Sequence, residues 1–180
     1  MKKTDRKSST RMMALCAVLS ALGVVLLYLG SFIEVLDLSV ALLASLAIVV
    51  LVIERGGGYP WMTYGVTALL SLLLLPNKVP ALVYAGFMGF YPILKEKIEG
   101  LRLRPVRILI KLISFNLSVL LMWLLARAVM GEMTFGAHIA VIAGLLNGVF
   151  LFYDYALTVL ITSYLRVWRR RLKMYRFFEK

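Results

Sequence analysis

The chain has 180 residues, 62% of them hydrophobic, and a formal charge of +12. A soluble domain sits nearer half apolar, and here the charges gather at the N-terminus, at residues 95–111 and at the C-terminus, with long charge-free runs between. That layout belongs to an all-α integral membrane protein, and it excludes nucleic-acid binding, because the Lys and Arg residues flank apolar spans and leave no basic soluble fold between them.

In chain order, a polar leader, residues 1–11, carries Lys2, Lys3, Arg6, Lys7 and Arg11. The first apolar span runs about 12–33. The single cysteine, Cys16, lies within it and reads as a small packing residue. The span is too long for a cleavable signal, and Leu15 stands where a lipoprotein signal needs a small residue. Glu34 and Asp37 mark a short acidic loop before the second span, about 38–53. Glu54-Arg55-Gly56-Gly57-Gly58-Tyr59-Pro60 is a turn. The third span is about 61–75, Pro76-Asn77-Lys78-Val79-Pro80 breaks the chain, and the fourth is about 81–94. Residues 95–107 are expected to be a basic loop, 108–130 the fifth span, 131–138 a polar turn and 139–165 the sixth span. The tail, 166–180, is basic. Backbone groups must pair internally in a bilayer, and these runs do not alternate in polarity, so the spans are helices.

Lys and Arg set the orientation. With six spans, the segments 1–11, 54–60, 95–107 and 166–180 fall on one side and hold 18 of the 21 Lys and Arg residues, against Lys78 and Arg127 on the other. That bias predicts both termini in the cytoplasm, with the basic tails against anionic lipid headgroups. Spans two to four are short against the ~20 residues a crossing needs, so residues 61–94 span twice or form a re-entrant hairpin. The hairpin would sink Lys78 into the membrane, at a cost. Tyr59 and Trp61 suit interfacial anchors. The whole chain reads as one membrane domain.

Asp154 is the conspicuous residue, an acid near mid-depth of the last span. An ionisable group there faces the bundle or a wet cavity and has a partner. It is either a substrate, ion or proton site, or a structural pair with Lys111, Arg107 or a tyrosine hydroxyl. Asn147 shares its helix face, and Asn116 lies at comparable depth in the fifth span. The three line a cavity or bond helix to helix. Glu34, Asp37, Asn77, Lys78, Glu132 and His138 fall at the outer face, as a pocket rim or a solvated edge. Ala140, Gly144 and Gly148 form a small-residue ridge expected to pack internally, and Ala17-x-x-x-Ala21 is a ridge of the same type.

The one histidine excludes a multi-histidine metal site, and no cofactor is expected. Hydrolase, zinc-protease and nucleotide-binding motifs are missing, and Gly56-Gly57-Gly58 is followed by Tyr59-Pro60 where a phosphate loop needs Lys and Ser or Thr. No enzyme is expected.

The basic leader and alanine-rich first span, from Lys7-Ser8-Ser9-Thr10-Arg11 to Ala17-Val18-Leu19-Ser20-Ala21, together with the size and layout, resemble the substrate-binding S components of energy-coupling factor (ECF) transporters. The resemblance implies a six-helix bundle with both termini inside. It implies docking of Ala17 and Ala21 on a transmembrane coupling subunit served by two ABC-type ATPases, and capture of a vitamin, cofactor precursor or metal ion at the outer side. It makes Asn77, Lys78, Tyr84 and Asn147 pocket candidates. Two other readings fit the size and topology: a non-catalytic assembly protein like the small membrane subunits of bacterial cell-shape machinery, and a stand-alone carrier using Asp154.

Overall fold

The computed structural model describes the backbone of residues 2–130 and 139–168 and, within these, the side chains of residues 9–33, 35–124, 127 and 141–166. The described residues are mostly helical, with no strand among them. The helices are α1 (Lys2–Gly30), α2 (Asp37–Glu54), α3 (Tyr59–Leu74), α4 (Val79–Val83), α5 (Tyr91–Glu99), α6 (Arg104–Met130) and α7 (Ile139–Ser163). Four of them contain stretches long and apolar enough to cross a membrane: Ser9–Gly30, Asp37–Glu54, Arg104–Leu124 and Val141–Arg166. Helix α3 is apolar but shorter. The chain divides into two compact units, one of residues up to Gly100 and one beginning at Leu101.

In the first unit α1 packs against both α2 and α3, and α2 also meets α4 and α5. The inward face of α1 repeats at helical spacing: Met12, Cys16, Ser20, Gly23, Leu27 and Gly30 are buried. Met12 and Cys16 meet Leu51 of α2, with Leu15, Leu19 and Tyr59 around them, so Cys16 is a packing residue as expected. The interior is rich in small and hydroxyl side chains. Ser45 of α2 and Thr63, Thr67 and Ser71 of α3 are at most 1% exposed, while Leu73, Leu69 and Val18 on the outer faces are more than 60% exposed. An apolar exterior around small, hydroxyl-bearing helix contacts is how helices pack in lipid, where Leu gains nothing by turning inward and small residues let backbones approach. The buried hydroxyls of Ser45 and Ser71 donate to carbonyls of their own helices, Leu42 and Ala68.

Three boundaries differ from expectation. Helix α1 starts at Lys2, ahead of its apolar stretch. The fourth span is not one α-helix: α4 gives way to a π-helical turn, Tyr84–Met88, and then to α5. Residues 95–99 belong to α5 and not to a loop, because Lys95 and Glu99 pair across one helical turn at 3.2 Å; Gly100 ends the helix and α6 follows four residues later. The turn at 54–60 forms as expected, with positive φ at Gly56 (58°) and Gly57 (66°).

The π-helical turn is held from outside. Its defining bond runs from Gly89 N–H to Tyr84 O at 2.8 Å, and the Tyr64 hydroxyl of α3 donates to Ala85 O at 2.6 Å. Tyr64 also lies edge-on to Phe90 and tilted against Tyr84. A Cβ on Gly89 would stand 2.7 Å from the Tyr64 ring, so only glycine admits this approach. Tyr64→Phe removes the donor while keeping the ring. It is expected to destabilise the protein by about 1–3 kcal/mol, the cost of an unsatisfied buried carbonyl, read as an earlier unfolding midpoint in mixed micelles. An unchanged midpoint would show that the hydroxyl does not hold the turn.

Candidate functional site

The second unit contains the antiparallel hairpin of α6 and α7, joined by at least three rungs among the described residues. Lys111 meets Asp154, Phe115 stacks on Phe150, and Asn116 meets Asn147, so the partners descend α7 as they climb α6. Hydroxyls along both helices bond back one turn. Ser114 donates to Ile110 O, Ser118 to Ser114 O, and Thr158 to Asp154 O.

The Lys111 ammonium donates to both carboxylate oxygens of Asp154, at 3.0 and 2.9 Å, with side-chain exposures of 12% and 19%. Of the partners weighed for Asp154, Lys111 is therefore one that it has. The phenyl rings of Phe115 and Phe150 stack with centroids 4.6 Å apart and planes within 8°. Phe150, Tyr153 and Leu157 are buried on the same face of α7.

One rung further, the two asparagine amides close a reciprocal ring. Asn116 Nδ2 donates to Asn147 Oδ1 at 2.9 Å, and Asn147 Nδ2 donates to Asn116 Oδ1 at 3.2 Å. The second N–H of each amide goes to a carbonyl of its own helix, Leu112 O and Ala143 O, both at 2.8 Å. All four amide N–H groups are thereby used, and each Oδ1 keeps an unused lone pair.

Above this ring the helices part into a groove of about 260 Å³ lined by Phe115, Asn116, Val119, Leu120, Trp123, Ile142, Ala143, Leu146 and Asn147. Its lining residues are apolar apart from the two amides and the indole N–H of Trp123. Trp123 is among the lining residues; Arg127 is not, but its guanidinium lies over the Trp123 ring, 5.6 Å from the centroid.

The other candidates are not at this site. Asn77 Oδ1 accepts from Val79 N at 3.0 Å and shapes the loop between α3 and α4. Lys78 Nζ donates to Leu75 O at 2.6 Å and Leu73 O at 3.4 Å, covering carbonyls left open at the end of α3. Tyr84 is wholly buried, its hydroxyl beside Thr67 in a geometry short of a well-formed hydrogen bond. Of the outer rim, Asp37 is buried, with one carboxylate oxygen lacking a hydrogen-bond partner among the described residues; the Glu34 side chain, Glu132 and His138 lie outside the described residues. No group of three metal-ligating side chains occurs among the described residues.

Gly144 and Gly148 have open space where a Cβ would stand. Within the second unit nothing among the described residues packs against these two glycines of the ridge.

Phe115, Trp123 and Arg127 of the site were not singled out from sequence. An aromatic residue in an apolar span has no signature of its own; its position four residues after Lys111 was the available signal. Comparison of the chain with protein-family models, with curated proteins and with solved structures finds no match.

Proposed function

We propose that this chain is a six-span protein of the bacterial cell membrane with both termini in the cytoplasm, and that it is the solute-capture subunit of an ATP-driven importer. In the manner of ECF S components, it takes a small vitamin-like or cofactor-precursor solute from the outer side and docks on a transmembrane coupling subunit powered by separate ABC-type ATPases. The basic tails rest on anionic lipid headgroups. Crossing by α3, and by the segment from α4 to α5, belongs to this proposal, as does the strongly one-sided distribution of Lys and Arg.

The observation that carries it is the outer face of α1. While Met12, Cys16 and Leu27 turn inward, Ala14, Ala17 and Ala21 are exposed together on the opposite side. A flat alanine face on a membrane helix lets another helix approach closely. Its exposure leaves it open to a partner of the coupling-subunit kind. The groove between α6 and α7 supplies a concave site of the sort a solute needs, and the pairing of Asp154 with Lys111 leaves little for a carrier built on a free carboxylate.

A second reading has an observation of its own. Paired polar groups at mid-depth, Lys111 with Asp154 and Asn116 with Asn147, also suit a non-catalytic assembly protein of the cell envelope, whose intramembrane polar residues would serve only to hold helices together.

Affinity purification from native membranes through a tag on the C-terminal tail separates the two. Recovery of two ABC-type ATPases and a larger membrane subunit supports the importer; recovery of wall-synthesis or division proteins without an ATPase overturns it. Ala17→Leu with Ala21→Leu is expected to reduce recovery of the coupling subunit at least about tenfold, the equivalent of ~1.4 kcal/mol of lost contact, without moving the unfolding midpoint, because both positions are exposed. Undiminished recovery would remove α1 as the docking helix.

A further inference from the structure

The groove of the α6–α7 hairpin has two chemically different ends. One is the amide ring of Asn116 and Asn147, which has spent every N–H and retains only acceptor lone pairs. The other is Trp123, whose ring lies under the guanidinium of Arg127, a cation outside the lining residues. No carboxylate among the lining residues competes for it, and none of the described carboxylates is paired with it. Between the ends the walls are Phe115, Val119, Leu120, Ile142 and Leu146. From Phe115 to Trp123 the groove follows eight residues of α6, about 12 Å of helix rise.

A ligand matched to this groove has an apolar body of that length, an anionic group at one end and a hydrogen-bond donor at the other. The polarity of the ends is fixed by what the protein leaves over. A second acceptor would face the lone pairs of the amide ring and be repelled, whereas an O–H or N–H satisfies them. At the opposite end a planar carboxylate can take two parallel bonds from the guanidinium. A groove of about 260 Å³ falls just under the range of about 300–1,000 Å³ usual for pockets that take drug-sized ligands, so the occupant is small.

We propose that the α6–α7 groove binds a small amphipathic acid, carboxylate toward Arg127 and a donor-bearing far end on the Asn116–Asn147 ring. The proposal rests on the solute-capture reading and names the class of its solute. A lipid acyl chain would fill the walls equally well, but its methyl end offers nothing to the amide ring. The donor requirement therefore favours a solute over bilayer lipid.

The test uses the full chain in phosphatidylcholine nanodiscs, with Trp61→Phe and Trp168→Phe leaving Trp123 as sole reporter. The probe is ω-hydroxydecanoic acid, whose extended length matches the groove. Saturable change in Trp123 fluorescence is expected. The apparent Kd should rise at least about tenfold with Arg127→Gln, the loss expected for one hydrogen bond to a charged group. It should also rise for decanoic acid, which lacks the far donor, and for decanol, which lacks the acid. Replacing both asparagines together (Asn116→Leu with Asn147→Leu) should abolish the preference for the hydroxy acid over decanoic acid, while Arg127→Gln should leave that preference in place. A non-saturating response identical in Arg127→Gln overturns the proposal. So does an equal change produced by adding phosphatidylglycerol to the nanodisc and removed by no acid, which would mark a lipid groove. Probe binding in a protein that recovers no ATPase would leave the site standing and sink the importer. Recovery of ATPases with no probe binding would do the reverse.

Discussion

Asp154→Asn is expected to destabilise the α6–α7 hairpin by about 3–5 kcal/mol, the usual result of removing one member of a buried ion pair. The Lys111 ammonium now donates to both carboxylate oxygens, and neither side chain is more than a fifth exposed. An asparagine would offer one neutral oxygen in place of two charged ones. The unchanged ammonium would then face a low-dielectric interior without its counter-charge. The reciprocal change, Lys111→Met, takes the ammonium from the carboxylate and should cost a similar amount. The double variant Lys111→Met with Asp154→Leu should recover most of the loss, since replacing both partners by apolar groups avoids both desolvation penalties. Unfolding midpoints of wild type, Lys111→Met, Asp154→Leu and the double variant in mixed micelles form a double-mutant cycle, and its coupling energy should lie above the range of about 0.5–3 kcal/mol seen for neighbours, because two large single losses collapse to a small one. Equal stability of wild type and Asp154→Asn would mean that the pair is not what joins these helices. The same set bears on function. A stand-alone carrier working through Asp154 would lose flux in the double variant however well it folded, whereas an ion pair that only braces the hairpin would leave solute capture intact.

The helical class and the approximate positions of the four long apolar stretches were legible because such runs are visible as pattern. A bilayer requires long uncharged runs with internally paired backbone, and those runs survive as pattern. The pairing of Asp154 was legible as far as a short set of partners, since a lone acid in one span and Lys111 in its neighbour are rare enough to seek each other. What sequence did not carry was anything decided by which helices touch. Tyr84 looked like a pocket residue, yet it lies buried in the π-helical turn that Tyr64, twenty residues earlier, holds in place. Nothing local to either residue announces that contact. Asn77 and Lys78 looked like rim residues because they are polar between apolar spans, and polarity at such a place serves equally well to finish a helix. The break of the fourth span into α4, the π-helical turn and α5 needed the ring of Tyr64 beside Gly89, a tertiary fact. Asn116 and Asn147, by contrast, were placed at comparable depth from their positions alone, and the hairpin does bring their amides together.

The second large effect is expected at the corner joining α1 to α2. Gly30 is the last residue of α1, and a Cβ built on it would stand 2.8 Å from Val40 Cβ, with both Val40 methyls closer still. Val40 cannot step aside. It is branched at Cβ, with one strongly preferred rotamer in a helix. It is also buried one turn into α2, where Ala41 and Ala44 are buried beside it. Any relief must therefore come from moving the helices apart, which loosens the contacts between them. Overpacking of this kind costs about 1–3 kcal/mol and occasionally more, and Gly30→Ala is expected at or above the top of that range, measured as the shift in unfolding midpoint. The cause can be isolated. Val40→Ala alone should be destabilising through lost packing, but combined with Gly30→Ala it removes both offending methyls, so the double variant should be more stable than Gly30→Ala alone. Simple additivity of the two changes would rule out the clash. The corner also fixes how α1 is rotated. The helix carries Met12, Cys16 and Leu27 inward and Ala14, Ala17 and Ala21 outward on one rigid rod. Displacing its end at Gly30 turns the alanine face relative to α2. If that face docks a coupling subunit, Gly30→Ala should weaken recovery of the subunit although Gly30 itself is buried and touches no partner, and adding Val40→Ala should restore it in part, since the Cβ at position 40 remains.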